Sequence, residues 1–380
     1  MNRRQLLKSA PLAAVPWLAG RAGGEPAPPL ITRMHEPRNL ETPVGALAPE
    51  GKLVTANDAF YVRSHFAMPK IDMATWTLKV EGHVEKPAEY SFDQLSKLPQ
   101  SKKTITLECA GNGRVFLTPA VRGLQWGFGG VGTAEWEGAA LAEVLQRAVP
   151  KAGAVEVILV GADAGAINSD PPSPGPIPFD RSIPLDKAMK PETILATRMN
   201  GEALTPAHGY PVRAVVGGYF GMAAVKWLTR IIVAEKPYAG FFQTIDYSIF
   251  ERRGGLASLK PVAQIQPKAI ITSHESGQAV AAGQPLMLHG LAWSGERAVA
   301  KVEVSTDGGT TWAVAEMPEQ QPNEFAWVKW RYEWKQPQGG IARVVARCTD
   351  VSGNTQPEKR DPDRRTYAIN HLVPIELTVK

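Results

Sequence analysis

The stretch KVEVSTDGGTTWAVAE, residues 301–316, constrains the fold of this chain more than any other. Apolar and polar residues alternate along it, the period at which a strand buries one face and wets the other. Asp307, Gly308 and Gly309 interrupt the alternation where a hairpin must turn, because glycine reaches positive φ without a Cβ clash. The pattern returns in FAWVKWRYEWKQP (325–337) and IARVVARCTDVSGN (341–354). Short strands at close spacing with turn signals predict an immunoglobulin-like β-sandwich over residues 265–380, with the linker near Ile265 to Lys268.

Upstream, over residues 61–264, the pattern is mixed. TWTLKVEGHV (75–84) and AVEVILVGAD (154–163) read as strands, the second running into a loop. FDQLSKL (92–98) reads as a short helix and EGAALAEVLQRAV (137–149) as a longer one, apolar at Leu141, Val144 and Leu145. PVRAVVGGYFGMAAVKWLTRIIVAE (211–235) combines buried strands with glycine-rich turns. The expected class is α+β: a mixed α/β domain followed by the sandwich. Residues 23–60 are proline-rich and aperiodic, an irregular tether.

The first 22 residues read as an export signal. A basic start with adjacent Arg3 and Arg4 precedes a short apolar stretch, PLAAVPWLAG. The paired arginines followed by Leu6, Leu7 and Lys8 resemble a twin-arginine signal, a route that carries folded proteins to the periplasm. Removing Arg3, Arg4, Lys8 and Arg21 from 42 basic residues leaves 38 against 37 acidic ones. The mature chain is then nearly neutral, with no basic run to suit nucleic acid. No apolar run is long enough for a membrane span.

TLECAGNGR (106–114) holds one of only two cysteines in 380 residues. Cys109 follows a strand-like run and precedes small residues, with Arg114 five positions on. A lone cysteine is commonly a small buried hydrophobe. Here the small neighbours admit backbone or a bulky ligand, and a thiolate is a soft metal ligand. Arg114 is costly to bury unless it meets an anion. A zinc site needs three further ligands, and no second cysteine is local. A nucleophilic cysteine needs an orienting base, for which His65 or His208 is available. Cys348 falls in the other domain, which disfavours a disulfide, and no Cys-x-x-Cys-His motif offers haem attachment.

The chain as a whole resembles the sulfite oxidase family of molybdenum enzymes, from about residue 50 to 380. The resemblance rests on YVRSHF (61–66), TLECAGNGR, MNGEALTPAHGYPVR (199–213), AVKWL (224–228) and VEVSTDGGTTW (302–312). It implies a molybdopterin-binding catalytic domain followed by a dimerisation domain. It implies that Cys109 ligates molybdenum beside a single molybdopterin; no haem is expected in this chain, which lacks the attachment motif. Arg63 and His65 match a pair that contacts cofactor and active site. Asp163, His208, Arg213 and Lys226 match positions that hold the pterin and its phosphate. Arg114 matches an arginine near an anionic substrate. Arg365, in RRTYAINH, matches a second, with Arg364 as the competing choice.

The implied activity is oxidation of sulfite to sulfate, with electrons leaving to an external c-type cytochrome. The implied assembly is a homodimer or a pairing with a haem subunit. The chain departs from the family at two places. Thr197 stands where the sulfite-oxidising members are expected to carry a tyrosine near the metal, with Tyr210 or Tyr219 as possible replacements. Gly113 stands where eukaryotic members carry a second arginine. The alternatives these departures leave open are a different oxo-transfer substrate, such as a sulfoxide or N-oxide, and a non-catalytic secreted binding protein.

Overall fold

The computed structural model describes residues 28–380, so the export segment lies outside the described residues. Two five-stranded sheets build the first part of the chain. One runs Glu202–Ala203, Thr193–Met199, Val131–Ala140, Gln100–Glu108, with Arg213–Val216 also pairing Thr193–Met199. The other runs Ala88–Tyr90, Leu78–Gly82, Leu228–Ala234, Glu156–Gly165, Ile177–Pro184. Only Leu78–Gly82 and Leu228–Ala234 pair in parallel; every other pairing in these sheets is antiparallel.

The helix expected over 137–149 begins later, at Leu141, and ends at Ala148. Residues 138–140 stay in strand because they complete the ladder to Ala196, Leu195 and Ile194. Glycine is required at 138, where a Cβ would fall 2.0 Å from the Leu195 carbonyl. The helix then buries Leu141, Val144, Leu145 and Ala148. Each large aliphatic side chain there stabilises the fold by roughly 1.5–3 kcal/mol. The short helix Phe92–Ser96 opens on a reciprocal cap between Ser91 and Gln94. Such a cap is worth about 1 kcal/mol.

The sandwich has a three-stranded sheet (Lys268–Ile271, Leu286–Trp293, Val328–Trp334) facing a five-stranded one. The second sheet is ordered Ala279–Val280, Ile375–Val379, Gly340–Asp350, Val299–Ser305, Ala313–Val314. Leu288, Val302, Trp330, Val344, Cys348 and Leu377 fill the space between them. The hairpin turn falls where the sequence places it, with Gly308 and Gly309 at φ of 74° and 98°. Asp307 closes it by accepting the Thr310 and Thr311 amides at 3.0 and 2.9 Å. Cys348 and Cys109 are both unpaired, each in its own core.

The two parts share one continuous core. Ile270, Leu291, Trp293 and Trp327 of the sandwich cluster with Leu228, Val216 and Tyr219 of the first part. Trp327 Nε1 donates to the Leu53 carbonyl at 2.7 Å. A strap from the sandwich, residues 360–371, reaches back so that the Ala368 amide donates to the Ala110 carbonyl at 2.8 Å. The sandwich is therefore built into the neighbourhood of Cys109.

Candidate active site

Cys109 stands at the end of the strand Gln100–Glu108. Its amide donates to the Gly130 carbonyl at 2.8 Å, and its own carbonyl accepts from the Asn112 amide at 2.8 Å. The small residues that follow make room for Arg114. Its guanidinium lies between Gly111 and Gly123, where a Cβ would come within 2.5 and 2.7 Å of it. Arg114 Nε donates to the Thr366 carbonyl at 3.2 Å and Nη1 to the Leu124 carbonyl at 2.8 Å. Gly113 is set by the backbone: its φ is 94°, and a side chain would press on Phe128 and Ile369. A side chain there is strained, which favours the glycine found.

Two connected cavities meet at Cys109. Arg63, His65, Cys109, Asp163, His208, Arg213 and Lys226 all line the inner cleft. The vestibule outside it has a volume of about 580 Å³ and is lined by Arg114 and Arg365. Arg63, His65 and Cys109 line both cavities. Arg364 turns away to the Ala368 carbonyl and Asn370, which leaves Arg365 as the vestibule arginine.

The structure places neither Thr197 nor the two tyrosines expected as its replacements at the site. Thr197 lies half-buried in the strand Thr193–Met199 and lines neither cavity. Tyr210 and Tyr219 line neither cavity as well. The phenols come from Tyr61 and Tyr247 in the inner cleft and from Tyr247 and Tyr367 in the vestibule. Tyr247 directly follows a π-helical turn, Phe241–Asp246, a backbone irregularity that recurs at functional sites. Its hydroxyl shares a 2.7 Å hydrogen bond with His65 Nε2. No motif marks it in the sequence; the unusual turn that presents it is a tertiary feature.

Buried charge dominates the inner cleft. Burial holds His208 down at about 3, so its ring is neutral, and Nε2 meets the Asn57 carbonyl at 3.0 Å. Burial, with Arg63, Lys226 and Arg181 nearby, holds His65 well below its usual value, and its ring stacks on Phe179 at 4.2 Å. Burial lowers Arg213 to about 10 and Lys226 well below the ordinary lysine range. Burial raises Asp163 to about 6 against the pull of Lys226. It also raises the Cys109 thiol, opposed by Arg63 and Arg114, and Tyr247 to about 12.

Among the described residues, Arg213 and Lys226 form no ion pair. Arg213 donates to the His208 and Ala224 carbonyls at 3.1 and 3.0 Å. Lys226 donates to Ser64 Oγ and the Ala207 carbonyl at 2.9 and 3.0 Å. Asp163 Oδ1 and Trp126 Nε1 are buried without a partner. Trp126, which sequence reasoning missed, lines the vestibule. Orphaned polar atoms and uncompensated cations in a cleft are unfavourable unless a ligand satisfies them. The donor set suits an organic anion carrying a phosphate and hydrogen-bonding edges. One thiol at the junction suits a soft metal. Among the described residues no cluster of three His, Cys, Asp or Glu could hold a metal alone. The residues present therefore fit a metal carried by a pterin better than a metal held by protein ligands only.

Comparison with known proteins identifies that class. A family described as oxidoreductase molybdopterin binding domain matches residues 65–242, and a Mo-co oxidoreductase dimerisation domain matches 260–370. Sulfite oxidase of Gallus gallus is 34% identical over 363 residues, covering 90% of this chain and 76% of that protein. Mitochondrial sulfite oxidase of Homo sapiens is 35% identical, and the match spans 88% of this chain and 63% of it. Nitrate reductase [NADH] 1 of Arabidopsis thaliana is 34% identical, but the match spans only 38% of its length. The crystal structure of the sulfane dehydrogenase SoxCD from Paracoccus pantotrophus superposes with a TM-score of 0.77 at 27% identity, covering 90% of this chain and 85% of that one.

The protein is a molybdopterin-dependent oxidoreductase with a dimerisation domain. The chain belongs to the sulfite oxidase family.

Proposed function

We propose that this protein oxidises sulfite to sulfate in the periplasm, reached through a twin-arginine signal, and passes electrons to a c-type cytochrome. Three arginines at one thiol carry the reading: Arg63, Arg114 and Arg365 converge on cavities that meet at Cys109. Cys109 is the residue to ligate molybdenum, and His208, Arg213, Lys226 and Asp163 are the residues to hold the pterin. When bound, that cofactor supplies oxo transfer and two-electron redox chemistry.

The chain's own residues do the rest. The guanidiniums of Arg63, Arg114 and Arg365 attract and orient a dianion and offset its desolvation. Trp126, which lines the vestibule, carries a buried indole N–H with no partner. His65 and Tyr247 hold a proton between them at the inner end, where the neutral ring and the high phenol both resist charging. Sulfite gains an oxygen that originates from water, so two electrons and two protons leave per turnover. The sandwich completes a homodimer.

One observation favours a second reading. The vestibule is far larger than sulfite fills. A sulfur substrate carried on a larger molecule is the alternative, and the similar fold is that of a sulfane dehydrogenase. The test is sulfite-dependent reduction of cytochrome c by molybdenum-verified protein, with Cys109→Ser as control. Turnover abolished in Cys109→Ser is the expected result. No turnover with full molybdenum and an artificial acceptor overturns the sulfite reading in favour of the larger substrate.

A further inference from the structure

The strap that carries Arg365 is held in an unfavourable conformation. Arg365 has φ 54° and Ala368 φ 50°, positions that residues with a Cβ adopt only when their surroundings impose them. The Arg360 guanidinium gathers the carbonyls of this segment, alongside Arg364 on the Ala368 carbonyl and the Ala368 amide on Ala110. Arg360 Nη2 donates to the Arg365 and Tyr367 carbonyls at 3.0 and 2.7 Å, and Nη1 donates to the Ala368 carbonyl at 3.1 Å. Among the described residues Arg360 forms no ion pair, so its planar fork is committed to these three oxygens.

The consequence is directional. With the carbonyls of 365 and 367 drawn to Arg360, both side chains line the vestibule. There Arg365 Nη1 is anchored on Ser248 Oγ at 2.5 Å, and the Tyr367 hydroxyl donates to Asp246 at 2.6 Å. The Arg114 guanidinium lies 5.4 Å from the centre of the Tyr367 ring. Arg360 itself lines neither cavity.

We propose that Arg360 is a positioning residue of the substrate pocket, fixing where Arg365 and Tyr367 meet an oxyanion. The proposal rests on the reading of the vestibule as an oxyanion site. Arg360 acts through Arg365, so the two should not be additive.

The experiment is a double-substitution cycle, Arg360→Gln with Arg365→Gln, on the full-length cofactor-loaded protein. Sulfite KM and kcat are read beside the dissociation constant of sulfate, followed by tryptophan fluorescence. Each single change is expected to raise KM and the sulfate constant about tenfold, with kcat within about twofold of wild type. The double variant is expected to lie within about twofold of Arg365→Gln alone. Arg360→Lys, which keeps the charge but not the fork, is expected to fall between wild type and Arg360→Gln. It also serves as the reporter should Arg360→Gln not fold. Additive losses, or constants unmoved by Arg360→Gln or Arg360→Lys, overturn the proposal. The sulfate arm separates it from the sulfite reading: dependence of sulfate affinity on Arg360 in a protein that does not oxidise sulfite upholds the clasp and sinks only that reading.

Discussion

Lys226 and Lys268 are both drawn into the protein near the Cys109 site, but they meet different company. Lys268, from the first strand of the sandwich, is 2% exposed and donates to Glu108 Oε1 at 2.8 Å and to the Asn112 carbonyl at 3.0 Å. Glu108 Oε1 also accepts from Asn112 Nδ2 at 3.0 Å, and Oε2 accepts from Trp293 Nε1 at 2.8 Å. Every charge in that group has its partner, and the group ties the residue before Cys109 to the sandwich. Lys187 follows the same rule, bridging Glu192 and Glu296 at 2.6 and 2.7 Å. Lys226 donates to a hydroxyl and a carbonyl and lies over the Trp227 ring at 4.0 Å, with no carboxylate in an ion pair among the described residues, and it lines the cleft. A buried cation already paired with carboxylate is architecture. One without such a pair, in a cleft with other cations, is waiting for an anion.

The largest effect that sharpens this contrast is Lys268→Met. It strands the Glu108 carboxylate and is expected to cost about 3–5 kcal/mol, measured by denaturant unfolding. Adding Glu108→Gln is expected to return most of that loss, because the buried charge is gone and the single amide oxygen still accepts from one of the two donors, Trp293 or Asn112. A loss that persists in the double variant would show that the charges themselves hold the interface. Lys226→Met is expected to change the stability of cofactor-free protein by no more than about 1 kcal/mol while lowering pterin and molybdenum content. If it instead unfolds the protein as Lys268→Met does, the contrast between the two lysines fails.

The smallest effect is in acid. His208 sits among the unpaired cations and stays neutral down to about 3, whereas an unfolded histidine takes its proton near 6.5. Below that upper value the unfolded chain binds more protons, so stability is full above it and declines as pH falls toward the lower one. His208→Gln is expected to move the acid unfolding midpoint of cofactor-free protein downward by ~0.5 pH unit. An unmoved midpoint would mean that other groups set the acid limit.

Legibility from sequence followed locality. Cys109 and Arg114 share one short motif, and the sandwich strands announce themselves by alternation, so both were readable. The helix at 141 started late because strand pairing to residues 194–196 outweighed local helix preference, a competition between residues about 55 positions apart. Tyr247 and Trp126 carry no motif and reach the site through a π-helical turn and a glycine-rich loop. Thr197 holds a place in a motif, while the phenol that meets His65 comes from a different part of the chain.

The sequence by itself determined the class of each half, the thiol at a strand end and the set of cationic residues, because these rest on period, composition and short spacing. Only the tertiary structure decided which lysine is paired, which arginine of 364 and 365 faces the vestibule, and which tyrosine meets His65. Those outcomes depend on contacts between distant segments, where a partner one strand away decides whether a buried charge is satisfied or left for a ligand.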